Sequence, residues 1–94
     1  MQKVIIQRLK EAVKELKRKY PLRKMALFGS VLRDDFTEES DIDILIDFNS
    51  DDFLLFNALA EELEMITGRK VDLITLRSLK QRHYDYIKDR LLYV

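Results

Sequence analysis

Apolar residues recur at steps of three and four through Ile5, Leu9, Ala12, Val13, Leu16 and Tyr20. That spacing predicts an amphipathic helix over Gln2 to Lys19 with one face turned to a core. Pro21 cannot continue the helix and holds the residue before it extended, so the helix ends there. Lys24 to Phe28 is a short apolar run closed by Gly29 and Ser30, the pattern of a buried strand running into a turn, and a short helix is expected to start within Val31 to Asp34. From Asp41 to Phe48 the period becomes two. Ile42, Ile44, Ile46 and Phe48 take one face, while Asp41, Asp43, Leu45 and Asp47 take the other. After a polar turn at Asn49 to Asp52, where Ser50, Asp51 or Asp52 can cap, helical spacing returns from Phe53 to Thr67 and Gly68 supplies the stop. Val71 to Thr75 reads as a third strand carrying Asp72; Ser78 is a candidate cap for a last helix reaching about Arg90, and Leu91 to Val94 a candidate terminal strand.

This order predicts an α/β (α+β) fold, a small mixed β-sheet packed against helices. At 94 residues the chain is expected to form a single domain over 1–94 with one core. With 47% apolar and 36% charged residues it suits a folded globule rather than a disordered chain. There is no cysteine, which removes disulfide scaffolds and thiolate metal sites and leaves a cytoplasmic setting as the default. The first helix is too charged for a secretory signal, and no apolar run approaches the roughly 20 residues of a membrane span. The expectation is therefore a soluble, untargeted chain with no membrane partner.

Zero net charge hides a strong segregation. Met1 to Met25 carries nine Lys/Arg against two Glu, whereas Asp34 to Glu64 carries twelve acids and no base. Arg69 to Val94 returns seven bases against three acids. Solvated helix faces account for most of the basic residues. An acidic centre is a poor place to grip a nucleic-acid backbone but a good one to attract divalent cations, so no direct nucleic-acid binding is expected.

Aspartate is a poor strand residue, because its side chain competes for neighbouring backbone groups, and this makes Asp41 and Asp43 conspicuous. Side chains at i and i+2 point to the same side of a strand, roughly 6 to 7 Å apart, so these two carboxylates can converge. Asp72 joins them if its strand pairs alongside. Three unpaired carboxylates repel one another unless hard cations neutralise them, and Mg²⁺ meets that demand through carboxylates, water and substrate phosphates. Gly29-Ser30 suits the phosphate: glycine lets the backbone approach, serine offers a hydroxyl and an N–H, and a following helix start would add its free N–H groups. Arg33 is placed to complete a clamp or to pair with Asp41 or Asp43. The competing structural readings are a turn or cap role for Asp41 and Asp43, an exposed edge for Asp72, and an ordinary strand-end turn for Gly29 and Ser30. His83 is read as a surface residue without a metal partner, and Tyr84, Tyr86 and Tyr93 as core in preference to a binding patch.

The stretch GSVLRDDFTEESDID, from Gly29 to Asp43, resembles the signature of the DNA polymerase beta-like nucleotidyltransferase superfamily, and the short length resembles its minimal nucleotidyltransferase branch. Asp34 stands where members commonly have glycine. The resemblance covers nearly the whole chain and implies a nucleotidyltransferase-like fold that moves a nucleoside monophosphate from a nucleoside triphosphate to an acceptor hydroxyl with two Mg²⁺ ions. It implies that Asp41 and Asp43 hold both ions, that Asp72 holds the catalytic one and helps deprotonate the acceptor, and that Gly29, Ser30, Arg33 and Ser40 contact the nucleotide. Many minimal nucleotidyltransferases act as antitoxins of HEPN-domain ribonucleases and can transfer AMP from ATP to a toxin tyrosine. The resemblance therefore implies an antitoxin in a hetero-oligomer with a HEPN toxin. The alternatives are an antitoxin that masks its partner by binding alone, and a transferase for a small-molecule hydroxyl.

Overall fold

The computed structural model describes residues 1–94. Helix α1 spans Gln2–Lys19 and buries Ile5, Leu9 and Leu16. Its last turn carries Lys17, Arg18 and Lys19, positive charge beside the negative end of the helix dipole. Tyr20 then turns extended (φ −127°, ψ 156°), as the residue before a proline must. Strand β1, Leu22–Phe28, starts two residues before the apolar run, because Leu22 is itself buried and pairs with Phe48 while Arg23 and Lys24 face solvent.

The turn after β1 departs from expectation. Gly29–Leu32 is a single 3₁₀ turn closed by the Arg33 N–H donating to the Ser30 carbonyl at 2.9 Å, so no α-helix starts at Val31 to aim a row of free N–H groups at an anion. Strand β2 is Ile42–Phe48 and helix α2 is Phe53–Thr67. Of the three candidate caps Asp52 serves, accepting from the N–H groups of Leu54 (2.9 Å) and Leu55 (3.3 Å). Gly68 closes α2 in the left-handed region (φ 69°) with its N–H on the Glu64 carbonyl. Strand β3 is Val71–Thr75.

The C-terminal segment is shorter in its elements than its pattern suggests. Ser78 does not cap a helix; its hydroxyl donates to the Thr75 carbonyl at 2.9 Å inside a 3₁₀ turn, Leu76–Ser78. Helix α3 covers only Gln81–Ile87 and fully buries no side chain, and without tertiary packing such a short helix has little to extend it. A 3₁₀ turn at Lys88–Arg90 leads into β4, Leu92–Tyr93. Tyr84 is half-buried, but Tyr86 (71% exposed) and Tyr93 (53%) are not core residues. His83 is exposed.

The four strands form one mixed sheet in the order β3-β2-β1-β4, with β1 antiparallel to β2 and β4, and β2 parallel to β3. The parallel pair needs a crossover, which α2 supplies. Met25, Leu27, Ile42, Ile44, Ile46 and Phe48 pack from one sheet face against Ile5, Leu9, Leu16, Leu59 and Leu63 of the two long helices. The other face carries Asp43, Leu45 and Asp47; Leu45 is still buried, in a pocket it lines with Leu76 and Tyr93.

The helices are also fastened to each other by a polar contact. The Tyr20 hydroxyl donates to Glu62 Oε2 at 2.6 Å, and Lys19 pairs with the same carboxylate. Accepting these bonds, first from Lys19 and then from Tyr20, holds the Glu62 carboxyl below its ordinary range, while the bond to Glu62 and burial push Tyr20 up to about 12. The tyrosine's part of the stability is fully present below its ordinary value of 10.0 and is lost as pH rises through about 12; that of Glu62 is present at neutral pH and is lost on acidification. Tyr20→Phe should cost about 1 kcal/mol at pH 7 and flatten the alkaline limb of a urea-unfolding profile. An alkaline limb identical to wild type would disprove this role for the pair.

Candidate active site

Register decides what gathers at one end of the sheet. Phe28 lies opposite Asp43 in the β1–β2 pair, so the chain turns out through Gly29 beside that carboxylate. Asp72 lies opposite Asp43 on the β3 side. Paired strands run about 4.8 Å apart and partnered residues share a face, which makes Asp43 the middle of a row with Asp72 as its neighbour. Asp41 sits just before β2, two residues from Asp43. Asp41 and Asp72 are exposed and Asp43 is half-buried. The Asp72 position is an edge strand, as its structural reading anticipated, yet it adjoins the acid pair.

Burial, then the charge of Asp72, then that of Asp41 raise the Asp43 carboxyl above its ordinary value, and Arg33 partly opposes them. The three acids thus share a negative field that Arg33 only partly offsets. Gly29 is what lets the turn and the carboxylate coexist. Its φ of +77° favours glycine, and a methyl group there would overlap Asp43 Oδ2 and come within 3.2 Å of Cγ.

As the side chains stand, no three acidic or imidazole groups in the chain converge on one point. The donor set nevertheless suits Mg²⁺: hard carboxylate oxygens whose mutual repulsion Arg33 relieves only in part, for an ion that keeps several waters and needs only one or two protein carboxylates plus phosphate.

The remaining sequence candidates are spent differently. Arg33 Nε donates to Asp35 Oδ1 at 3.1 Å, not to Asp41 or Asp43, in an exposed pair of little energetic weight. Ser40 Oγ accepts the Thr37 N–H at 3.0 Å and meets Thr37 Oγ1 at 3.2 Å, closing the turn that leads into Asp41. Ser30 is half-buried within the 3₁₀ turn beside Gly29.

Two further side chains brace the motif segments. Gln2 Nε2 donates to the carbonyls of Val31 (3.0 Å) and Arg33 (2.7 Å), tying the start of α1 to the glycine turn. Arg69 Nη1 donates to the carbonyls of Thr37 (2.7 Å) and Ser40 (3.2 Å). Neither carries a local sequence signal, because each reaches about thirty positions along the chain. A cavity of about 440 Å³ lies elsewhere, lined by Phe53 and Phe56 of α2, by Leu73, and by Phe48 and Thr75 at the far ends of β2 and β3. Five strand residues, roughly 16 Å, separate Phe48 from Asp43. Of the acids, Asp41 and Asp72 are exposed, and Asp72 lies on the edge strand β3. No helix is long and apolar enough to cross a membrane.

Known proteins are similar to this chain in sequence and fold. The protein adenylyltransferase MntA of Thermococcus cleftensis is 39% identical over 82 residues, covering 86% of this chain and 83% of MntA. A Methanocaldococcus jannaschii protein provisionally named a protein adenylyltransferase is 44% identical over 93 residues, 92% of this chain and 90% of that protein. Among solved structures, one provisionally described as a minimal nucleotidyltransferase superposes with a TM-score of 0.74 at 32% identity, covering 93% of this chain and 88% of that one. The crystal structure of a toxin-antitoxin with AMP-PNP superposes with a TM-score of 0.66 at 25% identity, covering 98% and 70%. The family model described as nucleotidyltransferase domain matches residues 9–94, glycine turn, acid pair and Asp72 included, and the chain belongs to that family.

Proposed function

We propose that this chain is the antitoxin of a toxin-antitoxin pair and acts as a Mg²⁺-dependent protein adenylyltransferase, moving AMP from ATP to a hydroxyl of its toxin. The acceptor we favour is a tyrosine of a HEPN ribonuclease. The observation that carries the reading is the register that sets Asp72 and the Gly29 turn on either side of Asp43. Relatives named protein adenylyltransferases, and the likeness to a toxin-antitoxin crystallised with AMP-PNP, support AMP transfer and a toxin partner.

In the reaction the acceptor oxygen attacks the α-phosphorus of ATP. The new O–P bond forms as the bond from the α-phosphorus to the bridging oxygen breaks, and pyrophosphate leaves with that electron pair. Asp41, Asp43 and Asp72 would hold the metal, which when bound neutralises charge on the attacking and leaving oxygens. Asp72, exposed on the edge strand, would take the acceptor proton on its carboxylate. Gly29 and Ser30 would hold the β- and γ-phosphates on backbone N–H and hydroxyl groups, and Arg33 and Ser40 would reach the nucleotide by giving up their bonds to Asp35 and Thr37. The exposure of Asp41 and Asp72 leaves the acceptor to be presented by a second protein, and residues 1–94 act as a single transfer domain.

The decisive experiment mixes purified chain with ATP and Mg²⁺, with and without a HEPN partner, and weighs every protein by intact mass spectrometry. The expected result is a partner heavier by AMP, lost with EDTA. A stable complex that blocks ribonuclease activity without added mass would mean masking instead, and turnover on a small hydroxyl compound without any partner would point to a different acceptor class.

A further inference from the structure

The geometry points to Arg69 as the positioning residue of the Asp41 carboxylate. Asp41 lies outside β2, so no ladder hydrogen bond of the strand fixes it, and it follows an exposed acidic segment, Asp34 to Glu39, with only Phe36 half-buried. The Thr37 to Ser40 turn closes on itself, with the Thr37 N–H on Ser40 Oγ at 3.0 Å and the Ser40 N–H on the Thr37 carbonyl at 3.1 Å, but those bonds stay within the segment and do not tie it to the rest of the fold. Arg69 supplies the restraint from outside. One guanidinium nitrogen bonds the Thr37 and Ser40 carbonyls, and the planar group lies 4.6 Å from the centre of the Phe36 ring, so three points within five residues are gripped by one side chain.

Arg69 is in turn held firmly. Its N–H donates to Thr67 Oγ1 at 3.2 Å, and Thr67, the one fully buried polar residue, anchors its own hydroxyl on the Leu63 carbonyl at 2.9 Å. On the next residue the Lys70 carbonyl accepts the Ile42 N–H at 2.9 Å. The end of α2 and the start of β3 therefore form a bracket whose backbone holds Ile42 and whose side chain holds the turn before Asp41. Because the same bracket leads directly into Asp72, one element sets two of the three acids relative to each other.

This inference rests on the proposed function for its consequence, but its structural content is independent of it. The test combines hydrogen exchange with Mg²⁺ titration of AMP transfer in wild type, Arg69→Ala and Arg69→Lys. Arg69→Ala is expected to speed amide exchange across 36–41 by at least about tenfold while β1 and the core of β2 stay protected, and to raise the Mg²⁺ concentration for half-maximal transfer by about tenfold with the rate at saturating metal largely kept. Arg69→Lys, which keeps the charge and one donor nitrogen but not the planar fork, should fall between the two. Unchanged exchange over 36–41 in Arg69→Ala, or exchange raised equally throughout the sheet, would overturn the inference. Wild type without AMP transfer would instead reject the proposed function, and the exchange comparison would still decide the role of Arg69.

Discussion

Asp43→Asn is expected to lower AMP transfer on the order of 10³-fold and, in the same protein, to raise the melting temperature by a few degrees in EDTA. The two effects have one origin. Half-buried and set between Asp41 and Asp72, the Asp43 carboxyl holds its proton more tightly in the folded state than in the unfolded chain. A group raised in this way stabilises the fold only at low pH, and that contribution is lost as pH rises through its raised value, so near neutrality its ionised form is a burden on the apo protein. Asparagine keeps the shape and removes the charge. The gain is modest because the site is partly open to water, where charges are screened. With Mg²⁺ added the order should reverse: wild type gains stability by binding, about 2.7 kcal/mol at 100 times the dissociation constant, and the variant gains less. Calorimetry of both proteins with EDTA and with Mg²⁺, beside the mass assay, separates these effects. A variant that is less stable than wild type in EDTA, or that still transfers AMP, would remove Asp43 from the centre of the site.

Gly29→Ala should be damaging out of proportion to the single methyl group it adds. Positive φ alone costs an alanine about 1 to 2 kcal/mol, and here the new methyl would also overlap the Asp43 carboxylate. The carboxylate or the turn must give way, and a displacement near 1 Å at reacting groups is enough for a loss of about 10²-fold in transfer. Gly68→Ala provides the control. Gly68 has a nearly equal φ of +69°, but nothing lies within 4 Å of where its methyl would sit. It should pay the same backbone cost of about 1 to 2 kcal/mol and keep full activity. If both variants lose transfer alike, the glycine turn acts through stability and not through its approach to Asp43.

What the sequence determined by itself is local. The limits of α1, α2 and β3 follow from periodicity together with Pro21 and Gly68, because each of those signals acts within a turn or two of where it stands. The buried face of β2 was legible for the same reason, since alternation needs no knowledge of what covers it. The C-terminal third was less so: α3 contracted to seven residues and Tyr86 and Tyr93 came to the surface, because the fate of an amphipathic segment depends on whether a partner face exists. Motif spacing singled out Gly29, Asp41, Asp43 and Asp72 as candidates, but which strands lie side by side, and hence that Asp72 faces Asp43 with the Gly29 turn on its other flank, was decided by parallel and antiparallel register across the sheet. Only tertiary structure turned Arg33 toward Asp35, spent Ser40 on its own turn, and brought Gln2 and Arg69 to carbonyls some thirty residues away. A hydrogen bond to a distant backbone carbonyl leaves no periodic trace along the chain, because any residue type can offer the carbonyl and only the fold brings the donor to it.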